Sequence, residues 1–314
     1  MDSIRKTITE STLATQNLLD TAAIEIAIEV LGHIEAQNTE TVRVLFSDQH
    51  GILRGKTIAA SKLVSIIESG MAAPSALLLK DTAHITVFPV WSAQASAAGE
   101  LVGACDVLMV PDPSTFRQLP WSPHSAWLMC DLHYESGALI PFAPGTVLKH
   151  SIEKLQAHDK AQVAGLEVEF HVFKLVDAKQ EHKDATMPGQ AVLTRNLAKG
   201  YQFLTETRYD QLEDIMDTLR RHCIELGLPV TSMEVEMGPS QFEFTFDPMD
   251  PITHANNRIM FRTMGLAAVI LPVVLGSCYR YSCHAGIDLR KTRALTAYLI
   301  HVVEFRFEQI QCKR

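Results

Sequence analysis

The sequence predicts an α+β protein in two domains, and three observations carry that prediction. The chain has 314 residues of which 47% are hydrophobic, enough to bury more than one core. Residues 41–58, TVRVLFSDQHGILRGKTI, alternate as a β-hairpin, and further short β-like pieces follow before residue 140. Beyond residue 141 the order becomes helix, strand, long polar stretch, helix, two strands, helix, which is α+β rather than a repeat of one motif.

The elements follow in chain order. Residues 1–37 form a polar, frayed lead-in and one helix from Asp20 to Ala36, in which Ala23, Ile24, Ile26, Ala27, Val30, Leu31 and Ile34 recur at helical spacing. In the hairpin, Val42, Val44 and Phe46 share one face and Asp48-Gln49-His50-Gly51 makes the turn. Strand-like segments lie at 84–90, 106–110 and 126–131. Between the last two, Pro111, Pro113, Pro120 and Pro123 require an ordered loop. The stretch PFAPG at 141–145 marks the domain boundary. A helix is expected over 146–158, a strand over 165–173, a polar loop over 174–208, a helix over 210–226 ending at Gly227, and a helix from Asn256 to about Val269.

Two strand segments carry the chemistry. In GLEVEFHVF, residues 165–173, Leu166, Val168 and Phe170 alternate with Glu167, Glu169 and His171. In EVEMGPSQFEFTF, residues 234–246, Phe242, Phe244 and Phe246 back Gln241, Glu243 and Thr245, and Glu234 and Glu236 share a face before the turn. A single E-x-E on a solvated strand face means nothing by itself. If the two segments lie side by side, Glu167, Glu169, Glu236 and Glu243 converge, and their repulsion calls for a cation. Oxygen ligands without Cys or His suit Mg²⁺ or Mn²⁺ rather than zinc.

Composition narrows the rest. A net charge of −8 and the lack of a basic run argue against a nucleic-acid partner. The six cysteines show no C-x-x-C pair and read as reduced thiols. The polar N-terminus has no apolar leader, which points to the cytoplasm. TMGLAAVILPVVLGSCY at 263–279 is shorter than the roughly 20 residues of a membrane span and carries Pro272, so no membrane role is expected. Cys278, Cys283 and His284 lack the second half of a zinc site. No local motif supports Ser-His-Asp or Cys-His catalysis, and Trp121 and Trp127 read as packing aromatics. Glycine-rich phosphate loops are absent, so any nucleotide must be held by metals and sheet.

Four segments, in this order, resemble the type I glutamine synthetase family. VRVLFSDQHGILRGKTI resembles its β-grasp signature F-x-D-x-x-G followed by a basic residue and a strand. TFRQLPWSPHSAWLMCDL resembles the segment that closes that domain, GLEVEF resembles the G-x-E-x-E-F strand, and EMGPSQFEF resembles the E-x-x-P-G-Q-x-E turn. The resemblance runs over residues 41–265. It implies a β-grasp-like domain at 38–140, then a catalytic domain of antiparallel sheet plus helices at 141–265 that is C-terminally incomplete, and a tail at 266–314 outside the resemblance.

By that resemblance, Glu169, Glu236 and Glu243 hold a first divalent ion that organises glutamate, and Glu167 contributes to a second that carries the ATP phosphates. Asp48 matches the loop aspartate that reaches a neighbouring subunit's site and binds the incoming ammonium or amine. The implied reaction moves the ATP γ-phosphate to the side-chain carboxylate of glutamate, and ammonia or an amine then attacks the acyl phosphate. Glutamate, ATP and ammonia or an amine are the implied partners, and double rings of identical subunits the implied assembly.

The sequence also departs from the pattern. Ser240 stands at a usual Gly, Asn256 at a usual acidic residue, and Gly145 at a usual Arg. Past about Gly265 there is no match to the family's metal-binding His, its G-x-x-x-H-x-H strand or its arginine pair. Losing one electrostatic stabiliser costs about 10²–10³ in rate, so losing several leaves little activity. The expectation is that residues from about 265 onward arise from a shifted reading frame or an alternative exon; the competing reading is a diverged but genuine C-terminus. Translating the other two frames beyond that codon tests it, and finding no G-x-x-x-H-x-H in either refutes it. The alternative to an active ligase is an inactive fragment or pseudoenzyme that associates with intact subunits.

Overall fold

The computed structural model describes residues 2–81, 85–87, 90, 91, 101, 103, 105–176, 193–270 and 298–304. The chain divides into two compact units, Met1–Lys154 and Leu155–Arg314.

The first unit opens with helices α1 (Asp2–Thr9), α2 (Thr12–Thr15) and α3 (Thr21–Ala36). The lead-in expected to be frayed is therefore helical. The reason is packing: Ile8 and Leu13 are fully buried in the core, and the Ser11 side chain caps α2 by accepting from Ala14 N. Asp20 caps α3 in the same way, accepting from Ala23 N at 2.8 Å. The sheet contains β1 (Thr41–Ser47), β2 (Leu53–Ala59), β3 (Met71–Pro74), β4 (Asp106–Pro111), β5 (Arg117–Gln118) and β6 (Ser125–His133). Its order is β2-β1-β6-β4-β3, with β5 beside β6, and the β1–β6 pair is parallel. Val42, Val44 and Phe46 point into the core, where they meet α3 and the short helix α4 (Leu63–Ser69). The strand expected over 84–90 is reduced, among the described residues, to one bridge between Lys80 and Thr86.

The second unit is a separate antiparallel sheet. It contains β7 (Ala164–Leu175), β8 (Thr194–Asn196), β9 (Val230–Val235), β10 (Gln241–Met249) and β11 (Tyr298–Glu304), in the order β11-β7-β10-β9 with β8 against β7. Helix α5 (Pro144–Gln156), most of it in the first unit, precedes β7; α6 (Glu206–Glu225) packs on β9, and α7 (Pro251–Ile270) on β7 and β11. Helix α6 buries Leu212, Met216, Leu219 and Cys223, the stripe its sequence shows. Helix α7 begins five positions before the expected Asn256. Asp250 accepts from Thr253 N at 3.0 Å and Pro251 sits at the first helical position, where its missing N–H costs nothing. The polar stretch 174–208 contains β8 and the first three residues of α6. Its residues 177–192, and Cys278, Cys283, His284 and the rest of 271–297, lie outside the described residues. Among the described residues no helix is long and apolar enough to cross a membrane.

Candidate functional site

Strand β7 turns one greasy and one acidic face. Leu166, Val168, Phe170 and Val172 are buried, while Glu167, Glu169 and His171 alternate with them. The buried face is aromatic: Phe170 stacks on Phe242 at 5.5 Å between centroids, and Phe261 of α7 packs edge-on against it at 5.6 Å. This floor fixes the register, because a one-residue slip would drive the phenylalanines to the other face. In that register Glu243 faces Glu169, Thr245 faces Glu167 and Gln241 faces His171. On the far side of β10, Glu243 also faces Glu234 of β9. Glu236 follows two positions later on the same face, its N–H donating to Gln241 O at 3.1 Å. One sheet face thus carries Glu167, Glu169, Glu234, Glu236 and Glu243.

Within this group, oxygens of Glu234, Glu236 and Glu243 lie within 4.8 Å of one another. Glu243 is 9% exposed, and its carboxyl is pushed up to about 8. Burial is the largest cause, then a hydrogen bond with Glu236, then the negative charges of Glu169, Glu236 and Glu167. Glu243 therefore holds a proton at neutral pH, a proton that a cation would displace. Each neighbouring carboxylate is oriented. Glu169 Oε2 accepts from Gln241 Nε2 at 2.7 Å, and Gln241 Oε1 accepts from Gly238 N at 2.8 Å. Ser232 Oγ donates to Glu234 Oε1 at 2.7 Å, and Met237 N donates to Glu236 Oε2 at 3.1 Å.

The donor set fits a divalent cation of the Mg²⁺ or Mn²⁺ type. Such an ion takes oxygens at about 2.0–2.2 Å, so its opposite ligands stand roughly 4 Å apart, inside the spread of these three carboxylates. The grouping differs from the expected one. Glu236 and Glu243 come together, but the third member is Glu234, while Glu169 is held aside by Gln241 and acts on Glu243 through its charge. Glu167 lies one alternation further along β7, opposite Thr245. Glu234 was readable from its alternation with Glu236; strand period gives the face, whereas it does not give sideways distance.

The turn that joins the strands is tightly built. Ser240, at the position of a usual Gly, has φ +56°. Its Oγ accepts from Leu197 N at 2.6 Å and from Ala198 N at 3.2 Å, bonds that hold a backbone region favouring glycine. His171 Nδ1 donates to Pro239 O at 2.7 Å, and burial lowers the pKa of this imidazole. Beneath the sheet, His254 of α7 is fully buried. Burial lowers its pKa too.

In the first unit, Asp48 lies at the hairpin tip with 1% exposure. Its Oδ1 accepts from His50 N and Ile52 N, each at 2.9 Å, and its Oδ2 accepts from Arg54 Nε at 2.7 Å. These bonds are made within the hairpin turn of one chain.

Comparison with known proteins agrees with this architecture. Residues 142–268 match the glutamine synthetase catalytic domain. Over 268 residues the chain is 31% identical to a gamma-glutamylanilide synthase of Acinetobacter sp, covering 83% of this chain and 52% of that protein. It is 28% identical to a gamma-glutamylethanolamide synthetase of Streptomyces coelicolor, covering 73% of this chain and 48% of that protein. A solved GmaS–ADP complex superposes with a TM-score of 0.57 at 21% identity, covering 76% of this chain and 49% of the other, a likeness of fold. The chain spans about half the length of the curated relatives it matches. With a carboxylate-lined antiparallel sheet where that domain model matches, the chain belongs to the glutamine synthetase family.

Proposed function

We propose that the chain is an ATP-dependent ligase that joins ammonia or an amine to the γ-carboxylate of glutamate through a γ-glutamyl phosphate. The observation that carries this reading is the acidic sheet face, where Glu234, Glu236 and Glu243 gather within 4.8 Å, Glu243 being 9% exposed. Glu236 and Glu243, with Glu234 or Glu169 as the third ligand, would hold one Mg²⁺ or Mn²⁺, and Glu167 would contribute to a second. Bound there, the cations supply charge neutralisation for the phosphates and the glutamate.

The chain's own residues do the rest. Gln241 keeps the Glu169 oxygen aimed, Ser232 keeps Glu234 aimed, and the phenylalanine floor prevents the strands from slipping. A cation held there would favour the ionised form of Glu243, so its binding would depend on pH. The relatives that make an anilide and an ethanolamide support an amine rather than ammonia alone as the nucleophile. The reading brings with it a β-grasp-like role for the first unit's sheet, C-terminal incompleteness of the catalytic domain, ring assembly of several copies and a cytoplasmic location, each implied by the family resemblance.

The test is γ-glutamyl hydroxamate formation by the purified chain with ATP, glutamate, hydroxylamine and Mg²⁺ or Mn²⁺. Activity that Glu169→Gln and Glu236→Gln each reduce by about 10²-fold or more supports the reading. No product at any metal concentration refutes it and favours the inactive fragment that associates with intact subunits.

A further inference from the structure

We propose that Ser240 is a positioning residue that fastens the segment 197–204 to the turn carrying Glu236 and Gln241, and through that turn steadies the acidic sheet face. What the face then does rests on the ligase reading. Ser240 is 1% exposed, and its hydroxyl is fully used. Its Oγ accepts from Leu197 N at 2.6 Å and Ala198 N at 3.2 Å, and donates to Ala198 O at 3.4 Å. Its carbonyl is engaged as well, accepting from Val172 N of β7 at 3.0 Å. Glycine would meet φ +56° without strain but would carry no hydroxyl. The chain bears the strain and has the bonds.

The backbone shows what this fastening holds. Tyr201 N donates to Met237 O at 2.7 Å and Leu204 N to Val235 O at 3.1 Å, so the segment runs along the end of β9 and into the turn. Gly200, at φ +76°, lies so close that a Cβ there would stand 2.6 Å from Pro239 N. Tyr201 and Leu204 have φ of +60° and +53°, a region that such residues keep only where surrounding bonds impose it. Segment and turn are thus packed backbone to backbone, and Ser240 supplies a buried side chain that joins them.

The same turn aims the carboxylates. Gln241, next to Ser240, accepts from Gly238 N at 2.8 Å and donates to Glu169 Oε2 at 2.7 Å, while Glu236 N donates to Gln241 O at 3.1 Å. Gln202, Arg208, Glu236 and Gln241 line the groove left between the segment, α6 and the turn. A segment that drifts from Ser240 therefore removes one wall of this groove and loosens the turn that orients Glu169 and Glu236.

The test uses the full chain with Ser240→Ala, which removes the hydroxyl and keeps the Cβ, and Ser240→Gly, which removes the hydroxyl and relieves the backbone. Two readouts need no activity: amide hydrogen exchange at Leu197 and Ala198 in the segment and at Glu236 and Gly238 in the turn, and Mn²⁺ affinity by calorimetry. A positioning role predicts that both variants speed exchange at Leu197 and Ala198 by about tenfold or more, and speed it at Glu236 and Gly238 as well. Both should bind Mn²⁺ roughly three- to tenfold more weakly, less than the loss of a ligand's direct partner costs. By linkage, Mn²⁺ should slow exchange at Leu197 and Ala198 more in the wild type than in either variant. Unchanged exchange at Leu197 and Ala198, faster exchange there with Glu236 and Gly238 unmoved, or equal Mn²⁺ affinity in the three proteins would each overturn the proposal. A wild type that binds no Mn²⁺ and forms no hydroxamate defeats the ligase reading instead, and exchange at the four amides then decides the role of Ser240.

Discussion

In the metal-free chain, replacing Glu243 by Gln should remove a pH dependence of stability that the wild-type carboxylate imposes. The carboxyl is raised from 4.5 to about 8 by burial and by the acidic residues around it. Because the folded-state pKa is above the unfolded one, the contribution is fully present below 4.5 and is lost as pH rises through about 8. Each unit in that window is worth about 1.4 kcal/mol, so between pH 5 and 8 the wild type loses roughly 2–4 kcal/mol after screening by solvent is allowed for. His171, His222 and His254 act in the opposite direction at lower pH, since burial lowers their pKa values, but they are present in both proteins and cancel in the difference. The assay is urea unfolding of both proteins at pH 5, 6.5 and 8 in EDTA. The wild-type stability, measured relative to Glu243→Gln, should fall across the series, and Mn²⁺ should restore the wild type at pH 8 without helping the variant. A difference that stays constant from pH 5 to 8 would refute the reasoning, because Glu243 would then ionise as freely in the folded chain as in the unfolded one.

Two further outcomes follow from single positions. His254 is fully buried with a lowered pKa, so stability should fall as pH drops below the unfolded value near 6.5, and His254→Leu should reduce that loss by on the order of 1 kcal/mol in thermal unfolding at pH 5 against pH 7. At Gly238 an added Cβ would collide with Gln241 Oε1 and lie 2.8 Å from His171 Cε1; Gly238→Ala should cost about 1–3 kcal/mol and weaken Mn²⁺ binding by calorimetry, whereas unchanged affinity would disconnect the Gln241–Glu169 bond from the site.

The parts of this molecule that sequence shows best are those in which one local rule decides. Alternation in β7 and β10 gave both the aromatic floor and the acidic face, because a strand's two faces follow directly from odd and even positions. Which carboxylates meet was less legible. Glu234 joins Glu236 and Glu243, and Glu169 is drawn toward Gln241, through side-chain directions that period cannot encode. The N-terminal residues looked polar and unstructured, since only Ile8 and Leu13 reveal the burial that makes α1 and α2 helical. Helix α4 and strand β3 were missed because each is short, and what holds them is the surrounding core rather than their own pattern. At Asp48 the motif identifies the residue, whereas its bond from Arg54 Nε, six positions away, is visible only in the structure.

The parallel pairing of β1 with β6 has a consequence for how the first unit is made. Thr41 and Ser125, hydroxyls 2.5 Å apart in the finished sheet, are separated by 84 positions along the chain. At about 5–20 residues per second of synthesis, the completed β1–β2 hairpin waits on the order of 3–13 s on the ribosome before its neighbour exists. During that wait one edge of β1 is open, and its Val42, Val44 and Phe46 have the N-terminal helices, and then α4, to cover them. Helices α1 to α3 thus serve as a temporary cover for the growing chain, and a nascent chain without them would be the one most exposed to edge-to-edge aggregation.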